Sequence, residues 1–343
     1  MTNAFPPNQQ FRLAARPLGM PRNEDWQFHE EAVPEAEEGG IVVKVLYLSL
    51  DPAMRGWMNE GKSYIRPVAI GEVMRAGGLG VVVASRSPRF AVGDYVAGGT
   101  GVQRYWSGQA DDKTAAFTKI DPRIAAPTAW LNTLGMPGMT AFFGLREVGQ
   151  PRPGETVVVS GAAGAVGMTV GQVAKKMGCR VVGIAGGEEK CRFVVEQLGF
   201  DACIDYKAGS VHAGLKQHCP QGVDVYFDNV GGEILDAVLT RINMKARIVI
   251  CGAISQYNAT SQVKGPANYL SLLVNRARME GMVVFDYAPR YAEGVATLAG
   301  WMQEGSVKSI EYVVEGFERF PEALLMLFEG RNLGKLVLKV AEA

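Results

Sequence analysis

The chain has 343 residues, 48% hydrophobic and 20% charged, which is too long for one ordinary core and points to two domains of a well-packed protein rather than a disordered chain. Its 35 Lys and Arg balance 35 Asp and Glu, so the excess of positive charge that a nucleic acid or an anionic membrane surface would call for is absent. The opening MTNAFPPNQQFRLAARPLG lacks the charged-then-apolar pattern of a secretory signal, and the expected compartment is the cytoplasm.

In chain order, IVVKVLYLSL, GLGVVVAS and VGDYVAGG are apolar, β-branched runs bounded by turn residues, the pattern of a small β-barrel or sandwich. The segment 124–145 carries no charge, but Pro127, Asn132, Gly135 and Pro137-Gly138 interrupt it. It reads as a buried connection between domains, not a membrane span. From Thr156 the pattern becomes strand–helix alternation. TVVVS is a strand, and Val166, Val170, Val173, Ala174 and Met177 recur at helical spacing. RVVGIA, a helix over 188–198, ACIDY, VDVYFDN, a helix around 235–242, ARIVICG, MEGMVVFDY and a helix over about 291–304 follow. Six strands in that alternation predict an α/β fold with a doubly wound parallel sheet. The tail returns to strand, helix, strand, and its last strand is expected to rejoin the N-terminal β domain.

The five cysteines, Cys179, Cys191, Cys203, Cys219 and Cys251, form no C-x-x-C pair and read as reduced, mostly buried thiols. The three histidines, His29, His212 and His218, are scattered, the last two flanking a predicted surface helix. No Cys/His grouping has the spacing of a zinc site.

The functional signal lies in VVVSGAAGAVG. Gly161, Gly164 and Gly167 form G-x-x-G-x-x-G between a buried strand and a helix. There the outward N–H groups and positive helix end accept a pyrophosphate. In that βα series the turn reads as a dinucleotide site. An NAD site places Asp or Glu at the end of the second strand to hold the ribose 2′-hydroxyl. This chain has Ala185-Gly186-Gly187 followed by Lys190, which can pair with a 2′-phosphate. Glu188 and Glu189 count against this, though as first-turn residues they also complement the helix dipole. The missing acid tips the reading to NADP(H).

Together, SLDPAMRG, GMPGMTAFFGL, GAAGAVG, GCRVVGIAGGEEK, YFDNVGGE, CGAISQYN and NLGK span nearly the whole chain. In that order they resemble the zinc-independent medium-chain dehydrogenase/reductases. The resemblance is to the leukotriene 12-hydroxydehydrogenase/prostaglandin reductase/2-alkenal reductase branch, with the bacterial curcumin reductases nearest. It implies a GroES-like barrel domain at 1–126, completed by 305–343, a Rossmann domain at 127–304, and NADPH between them. Carried over by motif, Gly164, Ala165, Val166 and Gly167 meet the pyrophosphate, and Lys190 and Tyr206 the 2′-phosphate end. Asn229, the loop Cys251, Gly252, Ala253, Ile254, Ser255 and Tyr257, together with Met282, Val283, Val284 and Asn332, line the rest of the cofactor. Tyr257 and Tyr64 face the substrate. One departure is Ala53, where many relatives carry tyrosine in D-P-Y-M-R.

Without a metal or a histidine base, the expected chemistry is hydride addition to the β-carbon of an activated C=C, with Tyr257 as donor to the enolate oxygen. The expected activity is NADPH-dependent reduction of α,β-unsaturated aldehydes and ketones. A quinone reductase of the same fold and a non-catalytic NADPH-binding regulator are the alternatives. The expected partners are a small-molecule substrate and a second copy in a homodimer.

Overall fold

The computed structural model describes residues 5–342. They form two compact units. One comprises residues 5–131, Glu311–Arg331 and residues 336–342, the other Asn132–Ile310 and Asn332–Lys335.

The first unit is barrel-like. Its sheet runs in the order Glu311–Glu315, Lys335–Lys339, Gly40–Ser49, Gly77–Ser85, Tyr95–Gly99, Thr118–Lys119, and Tyr105–Gln109 also pairs with Gly40–Ser49. The final strand thus lies antiparallel to Gly40–Ser49, so the chain's end completes the sheet begun near its start. A hairpin of Asn8–Leu13 and Trp26–Glu31 was not legible in the sequence, because the outer strand WQFHEE keeps most of its residues exposed. Phe11 carries the hairpin into the core, its ring 5.3 Å from both Phe317 and Phe320.

The second unit is a doubly wound parallel sheet. Numbered within the unit, its strands are β1 (Thr156–Ser160), β2 (Arg180–Ala185), β3 (Ala202–Asp205), β4 (Val223–Asp228), β5 (Ile242–Ile250) and β6 (Arg278–Gly281), in the spatial order β3-β2-β1-β4-β5-β6. Its helices include α1 (Ala165–Lys176), α2 (Glu188–Leu198), α3 (Val211–His218), α4 (Gly232–Leu239), α5 (Leu270–Asn275) and α6 (Tyr291–Gln303). All five residues of β1 are buried, as a central strand covered on both faces requires, and its unbroken valine run follows from that. The order reverses beside β1, and such switch points in open α/β sheets form the crevice where ligands bind.

Three sequence expectations are corrected here. The sixth strand stops at Gly281, not Tyr287. Beyond Met282, whose N–H reaches the Ile250 carbonyl at 3.1 Å, the neighbouring strand has ended, and residues Val284–Arg290 wind into a 3-10 turn. The helix placed around 235–242 is Gly232–Leu239, and Ile242 already opens β5, where Val223 and Ile242 are partners. His212 and His218 lie within α3 rather than flanking it. In the uncharged segment 124–145, a 3-10 turn Pro127–Leu131 and a helix Met136–Phe143 form. No helix among the described residues is long and apolar enough to cross a membrane.

The glycines of α1 are needed for packing. A Cβ on Gly167 would collide with the Gly161 carbonyl oxygen, and one on Gly171 with the Phe200 ring. Gly167→Ala should therefore cost about 1–3 kcal/mol, lowering the thermal midpoint by roughly 2–4 °C per kcal/mol. At Gly281 a Cβ meets open space, and alanine there should leave the midpoint unchanged. Calorimetry of the two variants checks the difference.

Candidate functional site at the carboxyl end of the parallel sheet

The turn after β1 is built to leave N–H groups facing out. Gly161 takes φ +61°, a left-handed conformation that glycine adopts at no steric cost. Its carbonyl accepts the Gly164 N–H at 2.9 Å. Gly164 caps α1, and Ala165, Val166 and Gly167 form its first turn, with no side chain capping it. N–H groups at such an end have no intrahelical acceptor and can bind an anion. From the other side, the Gly334 N–H donates to the Ala163 carbonyl at 2.9 Å. The Asn332 amide holds Gly334, donating to its carbonyl at 2.8 Å.

Next to the turn lies a buried carboxylate whose role the sequence did not reveal. One oxygen of Asp228, at the end of β4, accepts the Ser160 hydroxyl at 3.0 Å, the Tyr226 phenol at 2.8 Å, and the Val230 and Gly231 N–H groups at 2.9 Å each. Ser160 in turn accepts the Asn229 N–H at 3.0 Å, and the Asn229 amide donates to the Ser160 carbonyl at 2.8 Å. Burial, then the Asp228 charge, raises the Tyr226 phenol well above its ordinary value. YFDNVGG was visible as a motif, but only the β1–β4 pairing brings Ser160 to Asp228.

The loop after β5 hangs from the same place. The Cys251 and Gly252 N–H groups donate to the Asp228 carbonyl at 3.0 and 3.1 Å. Those of Ile254 and Ser255 donate to the Asn229 and Val230 carbonyls, both at 3.2 Å. Tyr257 then folds back, its phenol oxygen accepting the Ala253 N–H at 3.2 Å. A Cβ on Gly252 would approach that oxygen to 2.9 Å, so glycine is what admits the ring. Burial and the nearby Asp228 carboxylate push the Cys251 thiol up to about 12, leaving it un-ionised at neutral pH. All five cysteines are free thiols, Cys179 and Cys219 buried and the other three half-buried. Met282 and Val284 are buried on either side of Val283.

At the ends of β2 and β3 the electrostatics change sign. Gly186 lies under Tyr206 and Lys207: a Cβ there would come within 2.7 Å of the Tyr206 hydroxyl and 3.0 Å of Lys207 Cε. Lys190, in the first turn of α2, is half-buried. Its pKa is lowered by that burial and then by the charge of Lys207. The nearby acid, Asp205, is engaged by backbone, accepting the Gly187 N–H at 2.8 Å and the Lys207 N–H at 2.9 Å. The Gly187 bond is the main cause holding its carboxyl below the usual range. Lys207 and Asp205 were missed as site residues because only the β2–β3 pairing brings them to the end of β2.

In the barrel-like unit, Tyr64 is 56% exposed and its phenol oxygen lies 3.3 Å from the Trp57 indole nitrogen. Ala53 opens the short helix Ala53–Trp57. Two of the three histidines have side-chain partners away from the turn: His29 Nε2 lies 3.3 Å from Glu31 and His212 Nδ1 3.0 Å from the Thr240 hydroxyl. Among the described residues no group of three or more His, Cys, Asp or Glu could hold a metal ion.

Residues 9–116 match the family described as the N-terminal domain of oxidoreductase, and residues 165–300 the one described as zinc-binding dehydrogenase. The donor set for zinc that the second description calls for does not occur among the described residues. The chain is 47% identical to the putative NADP-dependent oxidoreductase YfmJ of Bacillus subtilis (strain 168), over 97% of this chain and 98% of that one. It is 42% identical to the NADPH-dependent curcumin reductase of Escherichia coli (strain K12), over 97% of each. Its fold is similar to that of CurA from Vibrio vulnificus in complex with NADPH, with a TM-score of 0.92 at 43% identity, covering 98% of this chain and 100% of that one. By these likenesses, and with a barrel-like unit and a switch-point glycine turn, the chain belongs to the zinc-independent medium-chain dehydrogenase/reductases, in the branch of the curcumin and 2-alkenal reductases.

Proposed function

We propose that this protein is an NADPH-dependent reductase of the C=C bond in α,β-unsaturated aldehydes and ketones. The observation that carries the reading is the loop built on Asp228, which holds the Tyr257 phenol at the carboxyl end of the sheet where no metal-holding group exists among the described residues. NADPH, when bound, supplies the hydride. The first turn of α1 takes its pyrophosphate, Lys190, Tyr206 and Lys207 its 2′-phosphate, and Asn229, the 251–257 loop, Met282 to Val284 and Asn332 the remainder. Tyr257 donates to the oxygen on which enolate charge develops. The Ala253 N–H on its phenol oxygen polarises that donor. Tyr64 faces the substrate from the barrel-like unit.

The cofactor preference follows from charge. The Lys190 ammonium meets the charge of Lys207, which is unfavourable until a dianionic phosphate comes between them. Lys190→Ala should weaken NADPH about 10- to 100-fold and spare NADH. Fluorescence titration with both nucleotides checks this, and equal weakening would reject the 2′-phosphate assignment.

For the bond reduced, NADPH carrying deuterium at the transferred position should label the β-carbon of the saturated product, with the α-hydrogen coming from solvent. Tyr257→Phe should lower kcat more than it raises KM, because the charge it meets exists only as the hydride moves. A loss of roughly 10- to 1,000-fold fits one oxyanion donor. Deuterium on a carbinol carbon would refute double-bond reduction. Comparing turnover of 2-alkenals and quinones separates the quinone reductase alternative, and NADPH binding without turnover of any enone would favour a regulator.

A homodimer through the parallel sheet is part of the proposal. Support comes from β6, an edge strand, and from α5 before it, whose Leu270, Leu273 and Val274 are 57%, 73% and 65% exposed. An open edge with exposed aliphatic side chains is normally covered. Light scattering at micromolar concentration should give twice the chain mass.

A further inference from the structure

We infer that the buried charge of Asp228 sets the balance between the two forms of the cofactor, favouring bound NADP+ over bound NADPH and so promoting the departure of hydride. The inference rests on the proposed function, which places the 251–257 loop around the nicotinamide end of the cofactor.

Asp228 is only 1% exposed. The donors on its oxygen are the Ser160 hydroxyl, the Tyr226 phenol and the N–H groups of Val230 and Gly231, and all four are neutral. Neutral donors solvate a carboxylate without cancelling its charge. Among the described residues no Lys, Arg or His forms an ion pair with it. The charge also reaches the loop that hangs from this residue. The Cys251 and Gly252 N–H groups are fixed on the Asp228 carbonyl at 3.0 and 3.1 Å. Burial first, and the Asp228 charge second, push the Cys251 thiol up, and no other charged group takes part.

Holding the loop does not by itself require a charge. An asparagine oxygen could accept the same four donors without the cost of burying an anion. What the anion adds is an electrostatic difference between the two forms of the cofactor. In the reaction the C–H bond of the dihydronicotinamide breaks, its electron pair passes with the hydrogen to the β-carbon, and a neutral ring becomes a cation. A carboxylate buried under the loop that receives the ring attracts that cation through a medium that screens charge poorly, and exerts no comparable pull on the neutral ring. The form it favours is the one that develops as the hydride moves, which is the condition for accelerating the step.

The test is the ratio of the Kd of NADP+ to that of NADPH, measured by titration calorimetry without substrate. Asp228→Asn should raise the ratio about tenfold, which lifts the potential of the bound couple by about 30 mV. A residue that only held the loop would weaken both nucleotides in step. Tyr226→Phe removes one donor and keeps the charge, so its ratio should fall, and it reads the inference if Asp228→Asn does not fold by circular dichroism. An unchanged ratio in Asp228→Asn, or a ratio in Tyr226→Phe that does not fall, would overturn the inference. Adenosine 2′,5′-bisphosphate, which lacks the nicotinamide, distinguishes this failure from that of the placement beneath it. Its affinity should be the same in wild type and Asp228→Asn. If it weakens as much as NADP+ does, the loop lies at the adenosine end, and the placement falls together with the inference. If it is unchanged while the ratio is also unchanged, the charge alone is refuted.

Discussion

The arrangement on which the site depends is one buried carboxylate oxygen that takes four donors. Asp228 ends β4 and gathers Ser160 from β1, Tyr226 from its own strand and two backbone N–H groups of the following turn. A buried charge persists only when it is hydrogen-bonded on this scale, and here the compensation doubles as construction. Gly231 and Gly232 turn through φ +71° and +57° to bring the N–H groups in. The backbone carbonyls from Asp228 to Val230 then carry the loop that ends in Tyr257. The position of that phenol is therefore set through Asp228. Strand pairing, turn and loop depend on one another through Asp228.

A second, opposite arrangement stands at the ends of β2 and β3. There Asp205 is consumed by two backbone N–H groups, Lys207 lies against the end of β2 at Gly186, and Lys190 in the first turn of α2 meets the charge of Lys207 and, with opposite effect, that of Glu189. Gly186 makes this possible, since a side chain there would displace Tyr206 and Lys207. The two regions divide the electrostatics of the unit. Negative charge is buried and saturated beneath the 251–257 loop, and positive charge is half-exposed at the far strand ends. A ligand with a phosphate at one end and a neutral, hydride-carrying ring at the other suits that division.

The sequence by itself determined the strands β1 and β2 to the residue, the parallel alternation, and the glycine turn with its close helix. Each is a local consequence: an unbroken valine run, a 3.6-residue period, a glycine where any Cβ would strike a carbonyl. Ala185-Gly186-Gly187 also announced the missing acid, because what matters there is what the residues lack. Only the tertiary structure decided that β6 ends at Gly281, since a strand stops where its neighbour stops. It alone brought Ser160 to Asp228, 68 positions apart, and set Lys207 and Asp205 at the end of β2. It likewise set the Arg75 guanidinium over the Trp57 ring while Arg66 took Glu72. Local pattern carries backbone preference and burial period, whereas partnership between distant side chains follows only from the pairing of strands that the whole sheet selects.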